Sequence, residues 1–100
     1  MNDAPISIEQ SDDTITIRGE VDAHTAPMVR TTAEPMLARG TLRIELSGVE
    51  FIDSSGLGVL VALTERAREQ GGDLIVVAPS RPVVRLLQIS GLDGHITTES

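Results

Sequence analysis

The stretch Glu50-Phe51-Ile52-Asp53-Ser54-Ser55-Gly56-Leu57-Gly58-Val59-Leu60-Val61-Ala62-Leu63 changes period part-way, from a strand-like run to a helical one, with a polar tetrad at the joint. Asp53, Ser54 and Ser55 all suit a helix N-cap, because a short side-chain oxygen accepts from one of the N–H groups that the first turn leaves unpaired. A helix is therefore expected to start at about Ser54 or Ser55. At the helical repeat, Ser54 shares a face with Leu57, Gly58, Val61 and Glu65, while Gly56, Leu60, Leu63 and Ala67 line another. One apolar side is needed for a core. The other, starting at a serine hydroxyl and running over Leu57 and Val61, has the character of a partner-binding surface.

The flanking sequence supplies strands and further helices. Ile6, Ile8, Ile15 and Ile17 alternate with polar residues around Ser11-Asp12-Asp13, which predicts a β-hairpin with one buried face. Asp22 or Thr25 suits the cap of a next helix, with Pro27 tolerated in its first turn. That helix carries Met28, Val29, Thr32, Met36 and Leu37, and Pro35 should bend or divide it by removing a hydrogen bond and crowding the Thr31 carbonyl. Leu42, Ile44 and Leu46 predict a third strand, which Ser47-Gly48 turns into the central joint. Gly71-Gly72 stops the central helix. The apolar run Leu74 to Ala78 suggests a strand covered on both sides or central in its sheet. Ser80 then caps a short helix with Pro82 in its first turn and Gly91 beyond its end, and His95 to Thr98 suit a last edge strand.

Strands are thus expected near residues 6 to 10, 14 to 20, 42 to 46 and 74 to 78, and helices near 25 to 38, 55 to 70 and 81 to 89. This order predicts an α/β fold, an open mixed sheet of four to five strands with helices packed on it. One hundred residues suit a single domain spanning 1 to 100.

Composition narrows the function classes. Fifteen acids oppose eight bases, all of them arginine, for a net charge of −7. Such a balance opposes nonspecific nucleic-acid binding, which needs a basic footprint. Phe51 is the sole aromatic, so there is no stacking platform for single strands either. The chain has no cysteine, which excludes disulfides and thiolate chemistry. Met1 to Pro5 lack the basic and apolar regions of a signal peptide, and the longest apolar run, Val59 to Leu63, is too short to cross a bilayer. A cytoplasmic protein without a membrane partner is the expectation.

The polar joint admits few chemistries. Ser54 as a nucleophile needs a positioned base, and only His24 and His95 are available. Gly56-x-Gly58 lacks the third glycine of a dinucleotide fingerprint, and without lysine there is no phosphate loop. Glu20, Asp22 and Asp53 at the joint read as an acidic rim rather than a metal site, since caps and turns use aspartate routinely. An N-cap with no further role remains an alternative for Asp53-Ser54-Ser55-Gly56. No cofactor is implied.

At these residues the chain resembles the STAS domain, and within it the single-domain anti-sigma factor antagonists of bacteria. The matching parts are Gly19-Glu20-Val21-Asp22-x-x-Thr25-Ala26, Asp53-Ser54-Ser55-Gly56-Leu57-Gly58, Gly71-Gly72, and Val84-x-x-Leu87 to Ser90-Gly91-Leu92, covering about Ile8 to Ile96. The resemblance implies that Ser54 is a phosphoacceptor bordered by Asp22 and Asp53. It implies a partner that is an anti-sigma factor and also a serine kinase using ATP: the unphosphorylated protein binds it and frees a sigma factor, the phosphorylated protein lets go, and a serine phosphatase restores it. The protein would be a substrate and a switch, not an enzyme. The expected partner-binding residues are Asp22, Asp53, Ser55, Gly56, Leu57, Gly58 and Val61. The resemblance implies one further helix after the last strand, expected here to be short or missing. A STAS scaffold or accessory module of a signalling complex or transporter, without phosphorylation, is the rival reading. A small nucleotide-binding protein is a third.

Overall fold

The structure, a computed structural model, describes residues 6–100, so the amino-terminal segment discussed above lies outside it. The hairpin forms as its alternation predicts: β1 (Ile6–Ser11) pairs antiparallel with β2 (Thr14–Val21), Ile8 opposite Ile17. Three crossovers follow: α1 (Ala26–Ala33) with a 3₁₀ segment (Glu34–Arg39) into β3 (Leu42–Ile52), α2 (Ser54–Glu69) into β4 (Leu74–Val77), and α3 (Arg81–Ser90) into β5 (Thr97–Glu99). The sheet has the sequential order β1-β2-β3-β4-β5, parallel from β2 onward. Right-handed crossovers that all step the same way put the helices on one face.

Burial follows from this one-sided covering. Ile15, Ile17, Leu42, Ile44, Leu74 and Val76 point into the core with Val29, Leu37, Leu60, Leu63, Val83 and Leu87 from the helical layer. Their register neighbours Thr14, Thr16, Arg43, Glu45, Ile75 and Val77 are only half-buried on the open face. The apolar run at residues 74 to 77 is therefore central, between β3 and β5, but is covered on one side only.

Two other expectations are corrected. Ser47-Gly48 is not a turn: β3 runs through it to Ile52. The pairing with β2 shifts register between Thr16 and Arg18 and again between Gly19 and Glu20, so β3 carries extra residues that keep Leu46 and Val49 on the core side. Apolar spacing of three in place of two resembles a strand end in the sequence, and a bulge absorbs it here. Ser80 occupies the N-cap position of α3, but its hydroxyl makes no cap hydrogen bond and is buried without a partner.

Pro35 divides its helix as expected. The α-helical segment ends at Ala33, the Glu34 N–H still bonds to the Arg30 carbonyl, and Pro35 stands in the first turn of the 3₁₀ segment, where its missing N–H is least costly. The tighter winding carries Met36 and Leu37 into the core, at 4% and 1% exposure. The last strand is held differently. All residues of β5 are exposed, and side chains tie it down: Thr97 Oγ1 donates to Asp73 Oδ2 at 2.8 Å, Arg68 donates to the His95 carbonyl at 2.9 Å, and Arg43 pairs with Glu99.

Two outcomes are expected. Pro35→Ala should give no stabilisation and a loss of about 0.4–1 kcal/mol, because the native backbone already suits proline and the unfolded chain gains freedom; thermal denaturation followed by circular dichroism measures this. The carboxyl of Glu99 is held below its ordinary value by the Arg43 hydrogen bond. For Asp73, burial pushes the carboxyl up, but hydrogen bonds from Thr97, Leu74 N–H and Arg68 outweigh it and the net direction is down. Groups with lowered values stabilise the fold above their ordinary 3.8 and 4.5, and that contribution is lost as pH falls through the lowered values. Hydrogen-exchange protection of the Ala78 amide, which donates to the Glu99 carbonyl at 2.7 Å, should therefore drop in acid before that of Ile44.

Candidate functional site

The joint between β3 and α2 is built from the cap outward. Asp53 is the N-cap of α2, in an extended conformation, and its Oδ1 accepts from Ser55 N–H at 2.8 Å and Gly56 N–H at 3.3 Å. Its own N–H donates to the Val21 carbonyl at 3.2 Å, which pins the joint to the end of β2. Ser54 is the first residue of the helix. It is exposed, and its hydroxyl has no hydrogen-bond partner among the described residues. Ser55 is half-buried beside it.

Gly56 explains how the helix sits so close to the sheet. A Cβ built there would lie 2.8 Å from Val21 Cγ1, 2.8 Å from Ile52 Cγ1 and 3.0 Å from the Val21 carbonyl oxygen. Gly58, one turn beyond Ser54, meets nothing within 4 Å and is exposed. The two glycines thus differ in kind: the first is required by internal packing, while no contact within the chain requires the second.

Asp22 follows directly on Val21, so the same contact brings its loop to the joint. Asp22 Oδ1 accepts from His24 N–H at 2.9 Å and Thr25 N–H at 3.0 Å. Thr25 stands at the N-cap position of α1, and its buried hydroxyl donates to the Glu20 carbonyl at 2.8 Å and accepts from Asp22 N–H at 2.9 Å. The Thr25 N–H bond is the main reason that the Asp22 carboxyl lies below its ordinary value, assisted by those from His24 N–H and the Thr25 hydroxyl against an opposing desolvation. Thr25 was legible as a cap residue. Its reciprocal lock with Asp22 was not, because it depends on where β2 ends.

The structure thus brings Asp22, Asp53, Ser54, Ser55 and Gly56 together, with Gly58 exposed one turn on. Leu57 departs from the expected outward face: it is 9% exposed and belongs to the core. Val61 is half-buried against that core. The helical repeat gives two apolar faces, but α2 lies low enough on the sheet, through Gly56, to bury Leu57 with Leu60 and Leu63. The expected supply of free N–H groups is also smaller than the helix start suggests, since Asp53 already binds those of Ser55 and Gly56. Among the described residues no cluster of His, Cys, Asp and Glu has the makings of a metal site, and no helix is long and apolar enough to cross a membrane.

A one-sided mixed sheet that presents a bare serine at a helix start capped by one carboxylate, with the loop of a second hydrogen-bonded carboxylate brought to the same joint, defines a small regulatory module of the STAS type. Comparison with known proteins agrees. The family described as "Mlab, STAS domain" matches residues 5–98. The anti-sigma-B factor antagonist of Bacillus subtilis is 38% identical over 88 residues, covering 87% of this chain and 81% of that protein. An anti-sigma factor antagonist from Mycobacterium paratuberculosis superposes with a TM-score of 0.79 at 31% identity, over 94% of this chain and 85% of that one. The phosphorylated form of the Bacillus cell fate determinant SpoIIAA superposes with a TM-score of 0.69 at 25% identity, over 95% and 90%. The chain belongs to the STAS domain family, in the branch whose members are anti-sigma factor antagonists, regulatory binding proteins rather than enzymes.

Substitutions at the joint should separate cap, packing and surface, with urea denaturation as the measure. Asp53→Ala should cost about 0.5–2 kcal/mol through loss of the cap. Gly56→Ala should cost about 1–3 kcal/mol by forcing α2 off Val21. Gly58→Ala should gain roughly 0.5–1 kcal/mol, as expected for an exposed helical glycine without a packing role. Leu57→Ala should cost about 2–5 kcal/mol, the range for a core leucine.

Proposed function

We propose that this protein is an anti-sigma factor antagonist that binds an anti-sigma factor with serine kinase activity while unphosphorylated, so releasing a sigma factor, and that phosphorylation of Ser54 switches it off. The reading makes residues 1 to 100 one domain working in the cytoplasm, with a serine phosphatase to reset it. The observation that carries it is the placement of Ser54: exposed, without a hydrogen-bond partner among the described residues, and first in a helix whose cap is supplied by its neighbour. A kinase can take this hydroxyl without breaking anything that holds the fold.

The electrostatics support a switch by charge. A phosphate adds roughly −1.5 to −2 charges at neutral pH. Asp53 and Asp22 already occupy the nearest N–H groups, and both are carboxylates, so the phosphate would add to a negative site rather than neutralise it. Its consequence falls on whatever docks there, through like-charge repulsion and the cost of desolvating a dianion. The proposed partner surface comprises Asp22, Asp53, Ser55, Gly58 and Val61 around Ser54. Gly56 and Leu57 support it from beneath.

Ser54→Ala should abolish phosphorylation, keep affinity for the kinase partner and change stability by less than about 0.5 kcal/mol, because Asp53 rather than Ser54 is the cap. Ser54→Asp should weaken binding by at least about tenfold, roughly 1.4 kcal/mol. Phosphosite mapping after treatment with the kinase and ATP checks the assignment: phosphate on Ser55 alone, or none on a protein that still binds its partner, would sink the switch and favour a scaffold module.

A further inference from the structure

With Leu57 in the core, the surface around Ser54 needs another apolar anchor, and Phe51 fits the place. It is the sole aromatic of the chain and is 48% exposed, although it sits in a strand. Val21 lies opposite Ile52 and Glu20 opposite Phe51. Ile52 and Val21 both touch the Gly56 position under α2, so Phe51 and Glu20 point to the opposite, open face of the sheet. The register shift between Gly19 and Glu20 brings this about: Glu50 is the extra residue of β3, and in an unbulged strand Phe51, two residues after Val49, would share its side, in the core. Phe51 is three residues before Ser54, at most about 11 Å away along the chain.

Its surroundings specify what would cover it. Glu20 and Glu50 flank it, both exposed and without an ion-pair partner among the described residues. Arg18, the one arginine of β2, pairs with Glu9 at 3.6 Å, with its aliphatic stem lying across Gly48. The patch is therefore one apolar ring inside a negative rim. We infer that Phe51 anchors the anti-sigma partner, inserting into an apolar cleft of that protein flanked by arginine or lysine side chains that meet Glu20 and Glu50. The inference rests on the antagonist reading and extends its interface from the helix start over the end of the sheet. An aromatic in a desolvated pocket beside the phosphorylation site is the arrangement from which most of an interface's affinity comes. The same cations that attract the carboxylate rim give the partner a place to sense charge at Ser54.

The single phenylalanine makes the test direct. Protein labelled with 4-fluorophenylalanine carries one fluorine resonance, which can be followed as each purified anti-sigma factor of the source organism is added, with a soluble gadolinium chelate reporting exposure. In the complex the resonance should shift and lose its relaxation by the chelate, and Phe51→Ala should weaken binding at least tenfold with an unchanged urea midpoint, Phe51→Leu less. A complex in which the ring stays accessible, or which tolerates Phe51→Ala, overturns the anchor and leaves the antagonist reading intact. Failure of the unmodified protein to bind any of these anti-sigma factors overturns both.

Discussion

The contact between the first turn of α2 and the end of β2 is the constraint on which the rest of the site depends. It needs a residue without Cβ at Gly56, because Val21 and Ile52 leave no room, and it needs Asp53 to close the helix from outside while its own N–H bonds to Val21. Once that contact forms, the loop beginning at Asp22 lies beside the helix start that carries Ser54. Two segments far apart in sequence thus become one surface. The register shifts in β3 serve the same geometry by carrying the strand far enough to reach the end of β2 with its core residues still facing inward.

The hydrogen bonds at this surface are largely complete within the chain. Asp53 satisfies two N–H groups of α2, and Asp22 satisfies two of the turn before α1. Caps of this kind stiffen the loops without enclosing the serine. A group added to Ser54 therefore meets neither an internal counter-ion nor a vacant ring of donors. Physical chemistry then favours a change in what the surface binds over a change in the fold, which is what the proposed phosphorylation switch requires.

Apolar side chains are divided between the two faces with the same economy. The helical layer covers one face of the sheet, and β5 closes the far edge through side-chain ties more than through burial. The open face carries threonines, carboxylates, arginines and the half-buried Ile75 and Val77, with Phe51 at the end nearest the site. The proposed partner contact, rather than folding, accounts for a phenylalanine left half exposed outside an aliphatic core.

Much of this was present in the sequence. The alternation of Ile15 and Ile17, the helical repeat of Leu60, Leu63 and Ala67, the breaker Pro35 and the capping tetrad each act through neighbours a few residues away, so period and residue type determined the elements and placed Ser54 at a helix start. What lay beyond it were the features that depend on how elements meet. The periodicity marked Leu57 as apolar on a second face, but only the depth at which α2 rests on Val21 decided that this face is buried too. Ser47-Gly48 has the composition of a turn, and only pairing with β2, where Gly48 lies opposite Arg18, kept it in a strand. Phe51 was visible as a lone aromatic; its direction hung on a register shift that no local pattern encodes. Local chemistry chooses helix, strand and cap, whereas which side of a residue meets water is settled by the partner element, and that partner is specified by the whole fold.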